Sequence, residues 1–401
     1  MEQLYTCACP VCAKSEGEDG DIHLSEEELE TILRQIYERD FDVETDIQRE
    51  LYRQTLRLLN EAVDRVFTLV EEENRAFVEE MKHNNAVFAA FKTHREQNDL
   101  AALLTDEAGQ PRSFNAFRQA TEPVIGEYNV NWLQTEYLAA IRSARTAERF
   151  RRYLQDKDLY PNLRWLPSRA VEPREVHRQY YYQVHSLDDP WWLTHYPGCL
   201  WRCQCDMENT KDAITHVGDN PVTLDGTLTG DDAEAVSPGL DRNPAFTGSL
   251  FTPTHPYITE AYPGAREAVE NFMEGEAFRK RIKEQRAEIR GWAKENLLGR
   301  TAAVPGMEGS IAFTSTGIKE VLNQPHKALW AKNEAVRDIV ELLRKGTYIK
   351  YAPDEKENAM VKGYHYIEIQ IEGEPSYAII RELRNGDLVF YSIVEKIKKK
   401  E

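Results

Sequence analysis

The sequence predicts a multidomain fold: a mainly α N-terminal module followed by a small α+β C-terminal domain with an antiparallel sheet. Three observations carry this. Apolar residues recur at helical spacing through residues 25–92, 132–154 and 265–298, as in helices that bury one face. Three runs at Tyr364–Ile371, Ser376–Leu383 and Leu388–Val394 alternate with period two instead, joined by Glu-Gly-Glu-Pro and Arg-Asn-Gly-Asp turns, and Asn385-Gly386 is a strong hairpin signal. Charge changes at the same place: residues 309–401 hold 15 Lys plus Arg and 14 Asp plus Glu, about +1, which leaves about −19 of the total −18 to the rest of the chain.

In chain order, residues 1–24 form a tail with Cys7, Cys9 and Cys12 and a Gly/Glu/Asp stretch at 16–21. Cys9-Pro-Val-Cys12 has the spacing of half a zinc knuckle, and an unstructured tail accounts for it equally well. Ser25 followed by Glu26–Glu28 has the chemistry of a helix N-cap. Leu29, Ile32, Leu33, Ile36 and Tyr37, then Leu56, Leu59, Val63, Val66, Phe67 and Val70, supply the helical stripes. A further helix is expected from Trp132 to Leu154, turns and extended loop from Val217 to Thr254, and a charged helix from about Ala265 to Leu298. The Gly and Pro residues between 299 and 309 read as a linker, which divides the chain into a module at 25–300, a linker at 301–308 and a domain at 309–401. In that domain Ile311–Phe313 reads as a strand, and Thr316–Leu322 and Lys332–Arg344 read as helices.

Length and composition bound the function. At 401 residues the chain can bury two or three cores. The −18 charge and a pI near 5.2 argue against a surface that coats itself in nucleic acid, so any such contact is local. No apolar run approaches the roughly 20 residues that span a bilayer, and the N-terminus lacks signal-peptide features. The expectation is a soluble protein with no membrane partner, made in a reducing cytoplasm where cysteines serve as thiols or metal ligands.

Residues Trp165 to Cys205 gather eight aromatic residues, three histidines and three of the six cysteines. Cys203 and Cys205 are too close in sequence for a relaxed disulfide, but Cys-x-Cys can give two ligands to one metal. His177, His185, His195 and Cys199 are candidates to complete the set. The alternative is a small core of thiols beside Trp191, Trp192 and Trp201.

The order Arg169, His177, Asp188-Asp189-Pro190-Trp191-Trp192, Pro197 and Cys203-Gln-Cys205 resembles the signature of the phage Mu F-type head morphogenesis proteins, the minor head proteins of tailed phages. The resemblance spans roughly residues 25–270, with its ordered motif at about 165–205; Tyr180-Tyr181-Tyr182 stands where the family often has a turn. It implies a head-assembly module inside the head or near the portal, acting in capsid assembly or DNA packaging and delivery. Its partners would be portal and capsid or scaffold proteins, in the virion and, during assembly, in the bacterial host cytoplasm. Arg169, His177, Cys203 and Cys205 carry over as a structural constellation. Structural zinc is a candidate cofactor on Cys203, Cys205, His177 and Cys199.

In the C-terminal domain, alternation places His365, Ile367 and Ile369 on one sheet face and Tyr364, Tyr366 and Glu368 on the other. Arg381 lies near the end of the next strand, and Tyr391 and Ser392 lie on the third. Histidine, arginine and a hydroxyl can cleave RNA without a metal: a base takes the 2′-OH proton, a cation stabilises the pentavalent phosphate and an acid protonates the leaving oxygen. A structural histidine, or Arg381 paired with Glu368 or Glu382, fits the same positions.

Thr314–Glu320, Asn323–Lys327, Lys332-Asn333 and Lys362–His365, with the Arg381 and Tyr391-Ser392 strands, resemble phage-borne nuclease domains of the barnase, EndoU, colicin and RelE-like group. The resemblance implies a metal-independent ribonuclease effector with no catalytic cofactor. His326, His365, Arg381 and Ser392 would be catalytic; Lys327, Lys332 and Tyr391 would bind RNA, with a tRNA as one narrow substrate and an immunity protein as a partner. The alternative is a purely structural portal-proximal protein whose C-terminal domain binds nucleic acid or a virion component without catalysis.

Overall fold

The computed structural model describes residues 25–68, 72–171, 173–215, 234–354 and 358–397. The tail with Cys7, Cys9 and Cys12, and residues 217–233 of the expected Val217–Thr254 loop, lie outside these residues. The chain is mainly α and then α+β, and it falls into two compact units divided between Met273 and Glu274, ahead of the expected 301–308 linker.

In the first unit, helix α1 (Glu26–Glu38) begins at Ser25, whose hydroxyl accepts from Glu28 N while the Glu28 carboxylate accepts from Ser25 N, a capping box that satisfies two otherwise orphaned donors. Helix α2 (Arg49–Val66) buries Leu51, Leu58, Leu59 and Val63, and it packs on α3 (Glu72–Ala101) and α5 (Leu133–Gln155). Between α4 (Phe114–Gly126) and α5, residues Glu127–Trp132 form a π-helical turn that follows Pro123. Pro123 cannot donate to the preceding turn, and the widened turn turns Tyr128, Asn129 and Trp132 inward.

The aromatic block then builds a three-stranded antiparallel sheet that the sequence reading did not anticipate. Strands β1 (Asn162–Leu166), β2 (Val184–Ser186) and β3 (Asp206–Thr210) run in the order β2-β1-β3, with Leu163 opposite both His185 and Asn209. Runs of three to five residues are too short to show clear alternation. Two short helices, α6 (Pro244–Thr247) and α7 (Pro256–Thr259), follow; each has Pro in its first turn, capped by Asn243 and His255 respectively. One continuous core joins α2, α3 and α5 to Trp165, Trp191, Trp192, Tyr196 and Trp201.

Helix α8 (Ala265–Asn296) runs across the division between the units, and its Ile289 and Ala293 belong to the second core. The second unit holds a six-stranded sheet in the order β4-β5-β9-β8-β7-β6. Its strands are β4 (Thr301–Ala302), β5 (Ile311–Ala312), β6 (Thr347–Pro353), β7 (Val361–Ile371), β8 (Glu374–Leu383) and β9 (Leu388–Val394). All neighbours are antiparallel except β5 and β9. Ile367, Ile369, Ala378, Ile380, Phe390 and Ile393 form the buried face, against which pack Ile318, Val321 and Leu322 of α9 (Ser315–Asn323) and Ile339 and Leu343 of α11 (Ile339–Lys345). The expected helix at Lys332–Arg344 is in fact two: α10 (Leu329–Glu334) ends before α11 begins. Gly317 lets α9 lie directly on β9, since a Cβ there would come within 2.1 Å of the Phe390 carbonyl oxygen.

Candidate functional site

The thiol and imidazole groups of the first unit converge on His177. A short 3-10 turn, Glu175–Tyr180, carries this ring into a fully buried position, edge-on to Trp165 at a centroid distance of 5.3 Å. Its Nδ1 faces Cys203 Sγ at 3.4 Å and Cys205 Sγ at 3.7 Å. Its Nε2 points the other way, to the Ala235 carbonyl at 2.9 Å and to Cys199 Sγ at 3.7 Å. Burial opposes charge on the ring, but the Cys199 and Cys203 sulfurs outweigh it and push its pKa up to about 11. A hydrogen bond from Cys205, aided by His177, holds the Cys203 thiol well below the ordinary thiol range, while bonding to Cys203 and burial push Cys205 up.

The donor set suits a tetrahedral ion of the zinc type. Metal–ligand bonds of about 2.3 Å to sulfur and about 2.0–2.1 Å to nitrogen place ligand atoms roughly 3.4–3.8 Å apart, and the distances from Nδ1 to both sulfurs fall in that range. All three ligand atoms lie within 4.8 Å of one another. With Nε2 donating to the Ala235 carbonyl, the backbone anchoring usual for a ligating histidine, Nδ1 is the ring nitrogen left to face an ion, which would displace the proton that the sulfurs favour there in its absence. Cys199 is separated from the other sulfurs by the imidazole ring, so the sequence-based four-residue set reduces to three around Nδ1. His185 and His195 stand apart: both stack on Trp191, and His185 bonds Asp189 at 2.9 Å and Gln183 at 3.1 Å. The Asp-Asp-Pro-Trp-Trp step is architectural, since Asp189 accepts from Trp191 N and Asp188 pairs with Lys157.

Beside this cluster is a cleft of about 190 Å³ lined by Arg142, Arg145, Arg149, Arg169, Cys205 and Asp206 among others. Arg142 donates to the Cys203 carbonyl, and Arg149 and Arg169 both reach the Asp206 carboxylate. Sequence reasoning singled out Arg169 and missed the other three, although their spacing of three and four along α5 was visible.

In the second unit the structure does not gather the expected RNA-cleaving residues. His365 lies opposite Ile380 on the core-facing side of the sheet, with Nδ1 3.1 Å from the Tyr348 hydroxyl. Its Nε2 is 3.4 Å from Glu382 Oε2, within ion-pairing distance but outside hydrogen-bond geometry. Glu382 also accepts from Lys362 at 2.7 Å, which holds its pKa below the ordinary carboxylate value. Arg381, the next residue along β8, faces the other way and stacks on Tyr391, with Cζ 3.7 Å from the ring centroid; the Tyr391 hydroxyl donates to Glu320.

His326 accepts at Nδ1 from Ala328 N and meets Ser376 Oγ at 3.2 Å with Nε2, and burial holds its pKa down. Ser376 precedes Ile380, the residue facing His365, by four positions, or about 13 Å of strand. Lys327 is exposed and pairs with Glu374 at 3.4 Å. Lys332 is a correction to phosphate binding: it is fully buried, and its Nζ donates to the carbonyls of Val321, Leu322 and Gln324 at the end of α9. Burial and the nearby Arg286 bring its pKa down to about 7. Ser392 is buried opposite Ile379, with no hydrogen-bond partner for Oγ among the described residues. Glu382, Tyr348 and Lys362 are the neighbours of His365 that sequence reasoning did not place.

No described helix is long and apolar enough to cross a membrane. Residues 280–391 match the family described as Large polyvalent protein-associated domain 3. The chain is also 33% identical over 73 residues to the "Putative capsid assembly protein F" of Escherichia phage Mu. That stretch is 18% of this chain and spans only 17% of the Mu protein. No solved structure matches the chain.

Proposed function

We propose that this chain is a phage or prophage minor head protein acting in capsid assembly or DNA packaging and delivery. The observation that carries the proposal is the similarity to the Mu capsid assembly protein. Its partners are then portal and capsid or scaffold proteins, and its place is the particle, with the host cytoplasm as the site of assembly. The cluster of His177, Cys203 and Cys205, pinned under Trp165, supports a stabilising role for the aromatic block. Zinc is proposed as its structural ion, held by Nδ1 and the two sulfurs, with a fourth ligand from outside these three residues. Deleting the gene from the encoding phage tests the assembly role: a loss of filled or infectious heads is expected, and normal yields of infectious particles refute it.

For the C-terminal domain the ribonuclease proposal narrows to one group. His365, Glu382, Tyr348 and Lys362 put an imidazole, a carboxylate, a hydroxyl and an ammonium together at one end of β7 and β8. The imidazole and carboxylate can serve as the acid and base of RNA cleavage, with Lys362 at the phosphate. An immunity protein would then cover this end of the sheet. A second reading, a domain that binds nucleic acid or a virion partner without catalysis, is favoured by the separation of His326 and Arg381 from His365.

A further inference from the structure

We propose that the arginine-lined cleft beside Cys205 is a binding site for the phosphodiester backbone of a nucleic acid duplex. Four guanidinium groups, Arg142, Arg145, Arg149 and Arg169, line it against the single carboxylate of Asp206, a local charge of about +3 in a chain of net −18. Such a concentration of one sign is costly in the absence of a counter-charge, and among the described residues only one is built in.

The cleft is organised to present charge outward. Arg142 and Arg149 are tied down from below, to the Cys203 carbonyl and the Asp206 carboxylate. Arg145 is exposed and makes no hydrogen bond or ion pair among the described residues, while Arg169, its side chain 78% exposed, reaches Asp206 only at 3.4 Å. Two anchored cations thus form the floor and two exposed ones the rim. Guanidinium is the group best suited to phosphate oxygens, which it meets with two parallel N–H donors.

Geometry favours a polymer over a lone phosphate. From Arg142 to Arg149 the arginine row on α5 extends about 10 Å at 1.5 Å per residue, against about 3.4 Å of duplex axis per phosphate on each strand. Because the backbone also winds round the axis, successive phosphates lie farther apart than this rise, and the row meets about two of them. None of the described lining residues is aromatic, which argues for backbone contact rather than base stacking.

The test uses the full chain and a fluorescein-labelled 20-base-pair DNA, with anisotropy read between 50 and 200 mM NaCl. Expected are saturable binding indifferent to sequence and a logarithmic salt slope of about −2 to −4, near 0.9 per phosphate contact. Arg145→Glu with Arg169→Glu should weaken binding at least about tenfold and flatten the slope by about 2. The milder Arg145→Gln should weaken it about threefold with an unchanged thermal melt, which separates lost contact from lost fold. Arg53→Glu with Arg75→Glu, exposed charges elsewhere in the same unit, should stay within twofold of the parent. Absence of saturable binding at 50 mM salt, or equal weakening by both double variants, overturns the proposal. So does displacement of the duplex by inorganic phosphate at an ionic strength where chloride leaves it bound, which would assign the cleft to a discrete phosphate.

Discussion

Cys203 Sγ lies 3.4 Å from Nδ1 of His177, on the opposite side of the imidazole from Cys199. One ion at Nδ1 can therefore take Cys203 and Cys205 but not Cys199. Native mass spectrometry of the purified chain is expected to find one zinc. Cys203→Ser or Cys205→Ser should lower its occupancy at least tenfold, and Cys199→Ser should retain it. Zinc kept in Cys203→Ser with Cys205→Ser, or lost in Cys199→Ser, contradicts this assignment.

Lys332 acts as a buried cap on the last carbonyls of α9. Lys332→Met should destabilise the chain by about 1–3 kcal/mol, because buried acceptors lose their donor. Thermal unfolding measures the loss. An RNA-binding defect with unchanged stability would instead place this side chain at a ligand.

Glu96 is buried on α3, where it accepts from Asn129 and neighbours Lys92, Glu136 and Asp99. Burial, only partly offset by Lys92 and Asn129, pushes its pKa up from 4.5 to about 7. Between those values the folded chain holds a proton that the unfolded chain releases. Stability from this group therefore falls as pH rises from about 4.5 through about 7, by an amount on the order of 3 kcal/mol at most. Glu96→Gln should raise the melting temperature at pH 8 and leave it nearly unchanged at pH 4. An identical pH profile in the variant rules the effect out.

For RNA cleavage the decisive comparison is between histidines. With total RNA and a chelator, His365→Ala and Glu382→Gln should each reduce cleavage at least about 100-fold, in the range of a lost acid or base. His326→Ala should change it less than threefold, since both ring nitrogens are already engaged within the fold. Intact RNA with the parent chain favours the binding reading.

The periodic elements were the legible part. The Ser25 cap, the helical stripes and the three long strands each declare themselves over many residues, and the Asn385-Gly386 turn supplies its own signal. The sheet β2-β1-β3 was not legible because its strands are too short to show a period. Nor could side-chain proximity be read from residue type. Lys332 and Lys327 look alike in sequence, yet one is sealed under α9 and the other is exposed, a difference set by long-range packing. Arg381 and Glu382 are adjacent, and the strand's alternation alone sends one to Tyr391 and the other to His365. The His177 cluster was partly legible, since Cys-x-Cys fixes two sulfurs; only the fold tells which ring nitrogen faces them.

The most direct measurement of the central proposal is quantitative mass spectrometry of gradient-purified particles from the encoding phage. The chain should co-sediment with filled heads at a fixed, low ratio to the major capsid protein and withstand a high-salt wash. Its absence from purified heads and from procapsids alike would contradict an assembly role.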